Sequence, residues 1–179
     1  MLSRDDEQYT RMREFSRVDA AIPFGVSVVP AERRAALKSK LSGNMDLVDM
    51  RMLPDLDNKA LHDWLIMLNS KLDTIINMLS FQREGFGMLP FTTVNISGGG
   101  LSFTSAQRYN RGDLIEMKML LPLMPPVALY VYGEIVSIEK SGESYAMAVK
   151  FLAMDDNIQD LIVQFVFKQQ REILRERRK

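Results

Sequence analysis

Residues 94–101 read Val-Asn-Ile-Ser-Gly-Gly-Gly-Leu, an amide, a hydroxyl and three glycines set between two apolar, strand-like segments. Asn95 can both donate and accept, so it can read a purine edge, and Ser97 adds one adaptable hydroxyl. At a strand end the two would share a face, because alternate residues of a strand point the same way. Gly98, Gly99 and Gly100 permit positive φ and let another group approach the backbone without interference from a Cβ. Taken alone, the stretch reads first as a hairpin turn with polar shoulders. Far upstream, Arg13 and Arg17 stand four residues apart just before an apolar alternating run, with Arg11 nearby. An arginine presents a rigid fork of donors that matches phosphate oxygens and the O6/N7 edge of guanine, and its plane can stack on a base. An anionic guanine nucleotide is therefore the ligand class that this set of side chains fits, although an arginine pair in a polar segment also fits plain solvation.

Other chemistries find little support. There is no Gly-x-Ser-x-Gly elbow, no phosphate loop ending in Gly-Lys-Ser/Thr and no His-Glu-x-x-His helix, so a non-enzymatic protein is expected. The glycine run is followed by a strand-like segment, without the helix N-terminus that a dinucleotide fingerprint needs to hold a pyrophosphate. The absence of cysteine removes thiol nucleophiles, disulfides and Cys-based metal sites. The lone His62 removes His-cluster sites and leaves only carboxylate sites for harder ions; no metal or cofactor is expected. The 23 basic and 23 acidic residues cancel, so nothing global points to nucleic acid or to an anionic membrane. No apolar run is long enough to span a bilayer, and residues 1–7 carry no signal-like apolar segment, so a cytoplasmic location is expected.

The elements that must position these residues follow from periodicity. Of the 179 residues 46% are hydrophobic, enough for a core with an appendage. Residues 1–19 read as a polar, arginine-bearing arm. From Ala20, the residues Ile22, Phe24, Val26 and Val28 alternate as a first strand ended by Pro30. Residues 31–41 favour a short helix by propensity, and residues 45–57 read as connecting structure. Residues 90–96, 101–105, 113–123, 128–139 and 144–154 read as further antiparallel strands. That makes six, enough to close a small barrel. Asp155, Asp156 and Asn157 offer N-caps for a last helix with an inward stripe of Ile158, Leu161, Ile162, Phe165 and Val166.

Residues 58–82 carry a different signal. Leu61, Leu65, Leu68, Leu72, Ile75 and Leu79 step by four, three, four, three and four, placing Leu65, Leu72 and Leu79 at heptad position a and Leu61, Leu68 and Ile75 at d. Asp57 or Asn58 can cap the start, and Gly85 with Gly87 stops the helix. Trp64, Met78 and Ile76 widen the apolar face beyond a two-stranded seam. Self-association as a dimer or a higher oligomer up to a tetramer is expected; packing of this helix on its own barrel is the competing reading.

The arginine pair Arg13/Arg17 followed by Asn95-x-Ser97-x-x-Gly100, with the closing segment of residues 165–172, resembles the paired signature of the PilZ domain family of bacterial cyclic di-GMP receptors. The resemblance covers residues 11–30 and 90–179. It implies an α+β fold built on a six-stranded antiparallel barrel with a C-terminal helix. It also implies that Arg13, Arg17, Asn95, Ser97 and Gly100, flanked by Arg11 and Gly98, hold cyclic di-GMP beneath a mobile arginine arm. The output would then be motility, surface polysaccharide or biofilm control through a protein partner. One departure is large: 77 residues separate Arg17 from Asn95. Residues 31–88 read as a helical insertion in a barrel made of residues 20–30 and 89–179. This resembles a tetrameric PilZ subgroup with long helices, and it keeps a second reading open, that of a ligand-independent oligomeric adaptor working through its coiled coil.

Overall fold

The computed structural model describes residues 15–42 and 58–177. Arg11 and Arg13, most of the expected arm and the connecting segment 45–57 lie outside the described residues. Seven strands and two α-helices occur among the rest: β1 (Val18–Val28), β2 (Lys40–Leu41), α1 (Lys59–Arg83), β3 (Phe91–Ser97), β4 (Gly100–Ser105), β5 (Leu114–Leu121), β6 (Val127–Ser141), β7 (Ser144–Leu152) and α2 (Asp156–Glu176). The sheet order β6-β5-β1-β3-β4-β7 closes on itself through β6–β7 pairing, which makes a six-stranded antiparallel barrel with β2 as an added edge. Closure leaves no strand of the barrel with an open edge along its whole length.

Period-two alternation drives this assembly. Along β5, Ile115, Met117, Met119 and Leu121 are fully buried while the residues between them are half exposed. They meet Ile22, Ile96, Leu129, Val131, Ile135, Met147 and Val149 in one core, where Phe24 and Phe103 stack edge to face at 5.2 Å. α2 closes the core with Ile158, Ile162, Phe165 and Val166, four of the five residues of the expected stripe; Leu161 is half-buried beside them.

β1 serves two neighbours. Its first half, Val18 to Pro23, pairs with β3, and its second half, Phe24 to Val28, pairs with β5. The strand starts two residues earlier than alternation from Ala20 implies, because Val18 and Ala20 are both buried against the β3 side of the barrel. Arg17 thus stands at the mouth of a strand rather than within a free arm.

The expected helix over residues 31–41 is corrected. A 3-10 turn spans Ala31–Ala36, and the chain then extends into β2, pairing Lys40 with Tyr130 and Leu41 with Leu129. So short a run gains little as an α-helix, and tertiary structure offers its backbone better partners. β6 joins β7 only from Tyr132 onward, so its first residues would otherwise present a bare edge. Ser39 fills the fork: its buried hydroxyl donates to the Leu152 carbonyl at 3.4 Å and accepts from the Tyr132 N–H at 3.3 Å.

α1 starts at an Asn58 cap, whose side chain accepts from the Leu61 N–H at 3.2 Å. No residue of α1 is buried; Leu61, Trp64, Leu68, Leu72, Ile75 and Leu79 are between 47% and 67% exposed. Packing of this helix on its own barrel is therefore not what the heptad repeat serves. The helix is joined to the barrel at its far end. Gly85 takes a left-handed φ of 80° and turns the chain so that Phe86 buries. The Glu84 carboxylate accepts from Ser42 Oγ at 2.6 Å and from Tyr130 Oη at 2.8 Å. Lys118 Nζ donates to the Glu84 carbonyl at 3.0 Å and sits over the Phe86 and Tyr130 rings. Among the described residues no helix is long and apolar enough to cross a membrane.

Candidate ligand-binding site

Pairing of Asp19 with Asn95 across β1 and β3 brings the two sequence motifs together. Because Val18, Ala20, Val94 and Ile96 point inward, Arg17, Asp19 and Asn95 must project from the outer face. Arg17 Nη1 donates to Asn95 Oδ1 at 3.4 Å, and Asn95 Nδ2 donates to Asp19 Oδ1 at 2.8 Å. The Asn95 amide is thus oriented from both sides, with its oxygen toward the cation and its nitrogen toward the carboxylate. A cation, a carboxylate and an oriented amide on one open face supply donors for phosphate or a base edge and acceptors for base N–H groups.

The turn between β3 and β4 is tighter than its sequence suggests. Ser97 is fully buried, and its hydroxyl donates to the Gly100 carbonyl at 3.0 Å, so it braces the turn. None of Gly98, Gly99 and Gly100 has a positive φ; among the described glycines only Gly85, Gly112 and Gly142 do. The expectation of left-handed backbone in this run is thereby corrected, and close approach is the reason for glycine here. A Cβ on Gly100 would collide with the carbonyl oxygen of Val149 on β7. A Cβ on Gly98 would stand 2.8 Å from both the Phe15 ring and Val163 of α2.

Phe15 therefore lies on the glycine turn, against α2, and α2 contacts both motifs through polar groups. Gln159 Nε2 donates to the Gly98 carbonyl at 3.0 Å, and Gln170 Nε2 donates to the Arg17 carbonyl at 3.1 Å. Asp19, Phe15, Gln159 and Gln170 were not singled out by sequence. Asp19 alone carried a usable signal, since it stands two residues from Arg17 and shares its strand face. The glutamines are indistinguishable from solvated helix residues until α2 is packed. Of the residues expected to bind ligand, Arg17, Asn95, Ser97, Gly98 and Gly100 converge at this corner, while Arg11 and Arg13 lie outside the described residues. Among the described residues no three His, Asp or Glu side chains are grouped to hold a metal ion.

The whole fold resembles a solved structure from Xanthomonas campestris, described as a tetrameric PilZ domain self-assembled via a helical bundle. The TM-score is 0.58 at 15% identity, covering 90% of this chain and 92% of that one. This is a likeness of fold. No curated protein matches the chain. The PilZ domain family model matches residues 77–168, just over half of the chain, taking in Asn95, Ser97 and Gly100 but starting after Arg17; the chain belongs to the PilZ domain family.

Proposed function

We propose that this protein is a non-enzymatic receptor for cyclic di-GMP that holds the ligand on the outer face of β1 and β3. PilZ domains form a family of cyclic di-GMP receptors and adaptors. The observation that carries the reading is the 3.4 Å approach of the Arg17 guanidinium to Asn95, residues 78 apart in sequence, on one exposed face. Arg13 and Arg17 supply the phosphate and guanine donors, Asn95 reads a base edge, and Ser97 and Gly100 shape the turn beside it, with Arg11 and Gly98 at the margin. The residues ahead of β1 act as the arginine arm, ending at Arg17, residues 18–30 and 89–179 as the receptor barrel, and residues 31–88 as the insertion carrying the oligomerisation helix. The ligand state passes to a protein partner in motility, polysaccharide or biofilm control.

The test is calorimetric titration of cyclic di-GMP into the wild type and into Arg13→Ala/Arg17→Ala. Each charge-assisted bond to an anionic ligand contributes about 1.5–3 kcal/mol, so the double variant should bind at least about 100-fold more weakly. Its fold should be unchanged, because Arg17 is exposed. Full affinity in the double variant would refute the site.

A second reading has its own support. Most apolar residues of α1, from Leu61 to Leu79, are exposed, which fits a ligand-independent adaptor assembled through that helix. An oligomer that shows no heat of binding with cyclic di-GMP would favour it.

A further inference from the structure

The corner that gathers Arg17 and Asn95 also holds a carboxylate that a site for phosphate alone has no use for. Asp19 is exposed and stands directly opposite Asn95 in the β1–β3 ladder. A carboxylate beside a phosphate site repels the ligand, since like charges at close range disfavour each other. Its presence is accounted for if it faces donors instead. Asn95 Nδ2 donates to Asp19 Oδ1 at 2.8 Å and holds the side chain in place, while Oδ2 accepts no hydrogen bond among the described residues. One oriented carboxylate oxygen is thus open to solvent, next to an amide and a guanidinium.

Guanine suits that arrangement. Its N1–H and exocyclic N2–H₂ are adjacent donors on the Watson–Crick edge, whereas adenine offers an unprotonated N1 acceptor there. An ionised carboxylate only accepts hydrogen bonds, so it matches the guanine edge and repels the lone pair of adenine N1. Arginine, in contrast, matches the opposite O6/N7 edge and the phosphates. Building on the receptor reading above, we propose that Asp19 is a specificity-determining residue. Its carboxylate reads the N1–H/N2–H edge of guanine, and Asn95, besides its own contact with a base edge, aims that carboxylate.

The division of labour has a readout that a merely structural role for Asp19 would not move. Cyclic di-IMP keeps O6, N7, N1–H and both phosphates but lacks the N2 amino group. The wild type should bind it about 10- to 150-fold more weakly than cyclic di-GMP, the worth of one hydrogen bond to a charged acceptor. It should discriminate against cyclic di-AMP by about 5- to 150-fold. Asp19→Asn retains the size of the side chain and an acceptor for Asn95 but places a donor where the base also donates. Asp19→Ala removes the group. Both should lose affinity for cyclic di-GMP, and in Asp19→Ala the preference for guanine over hypoxanthine should fall to within about twofold. Arg17→Ala should weaken all three dinucleotides while keeping the guanine-to-hypoxanthine ratio. Circular dichroism melts of each variant confirm the fold before titration. Three dinucleotides, each titrated calorimetrically, separate the failures. Wild-type binding of cyclic di-GMP with an unchanged guanine-to-hypoxanthine ratio in Asp19→Ala overturns the role of Asp19 alone. Absence of wild-type binding overturns the receptor reading, and the role of Asp19 with it.

Discussion

The double substitution Leu68→Asp/Leu72→Asp tests whether α1 joins chains. Leu68 and Leu72 are 48% and 47% exposed. Fully burying a leucine side chain gains about 1.5–3 kcal/mol, so covering the open half yields roughly 0.7–1.5 kcal/mol per side chain. Two such residues on each of two chains amount to roughly 3–6 kcal/mol for a helix pair. Losing that term weakens association by about 10²- to 10⁴-fold, before counting the cost of bringing unpaired carboxylates into an apolar seam. The barrel should be untouched, because no residue of α1 is buried and none belongs to its core. Sedimentation velocity at tens of micromolar should show an oligomer for the wild type and a monomer for the variant. Thermal melts and cyclic di-GMP titrations of the two proteins should coincide. A variant of unchanged mass would show that these leucines do not form the contact. A wild-type monomer would remove self-association altogether. Loss of the cooperative melt would mean that α1 supports the barrel after all.

Two further outcomes follow from the packing around the site and from the barrel's outer tyrosines. Gly100→Ala should destabilise the barrel by about 1–3 kcal/mol, because the new methyl meets the rigid Val149 carbonyl; Gly87→Ala, with nothing within 4 Å and no positive φ, should be near neutral. Equal urea midpoints for the two would contradict that account. Burial first, and the 2.6 Å bond that Tyr132 Oη donates to Glu116, second, push the Tyr132 hydroxyl up to about 12 from its ordinary value of 10.0. Its stabilising contribution is therefore complete below pH 10 and is lost as pH rises toward about 12, since the unfolded chain releases this proton first. Denaturant titrations at pH 8 and 11 should show a smaller alkaline loss in Tyr132→Phe, and an identical loss would refute the assignment.

Much of the barrel was legible because its rule is local. Alternation marks which side of a strand faces the core, and it placed all six barrel strands to within two or three residues at each end. The heptad spacing within residues 58–82 located α1 in the same way, while the cap stayed open between Asp57 and Asn58 until the structure showed Asn58, since both signals depend on neighbours three or four residues apart. The short segment from 31 to 41 was misread because its propensity is helical, while its partner, the bare edge of β6, is nearly ninety residues further on.

The candidate site divides along the same line. The residue types at Arg17, Asn95, Ser97 and the glycines were legible as candidates for a nucleotide-like ligand, since donors, acceptors and the lack of a side chain are properties of single residues. Their meeting was not readable, because it requires β1 to pair with β3 in the register that sets Asp19 against Asn95. Only that register turned Asp19 from one more surface carboxylate into part of the site. Only the packing of α2 brought Gln159 and Val163 to the glycine turn and Gln170 to the Arg17 carbonyl. The purpose of the glycines changed as well: sequence permits unusual backbone angles, whereas the approach of β7 and Phe15 demands the missing Cβ. Sequence determined the local periodicities and the chemical repertoire, which are carried by residues a few positions apart. The tertiary structure decided the contacts, because these depend on which distant strands share hydrogen bonds and which surfaces then have no room for a side chain.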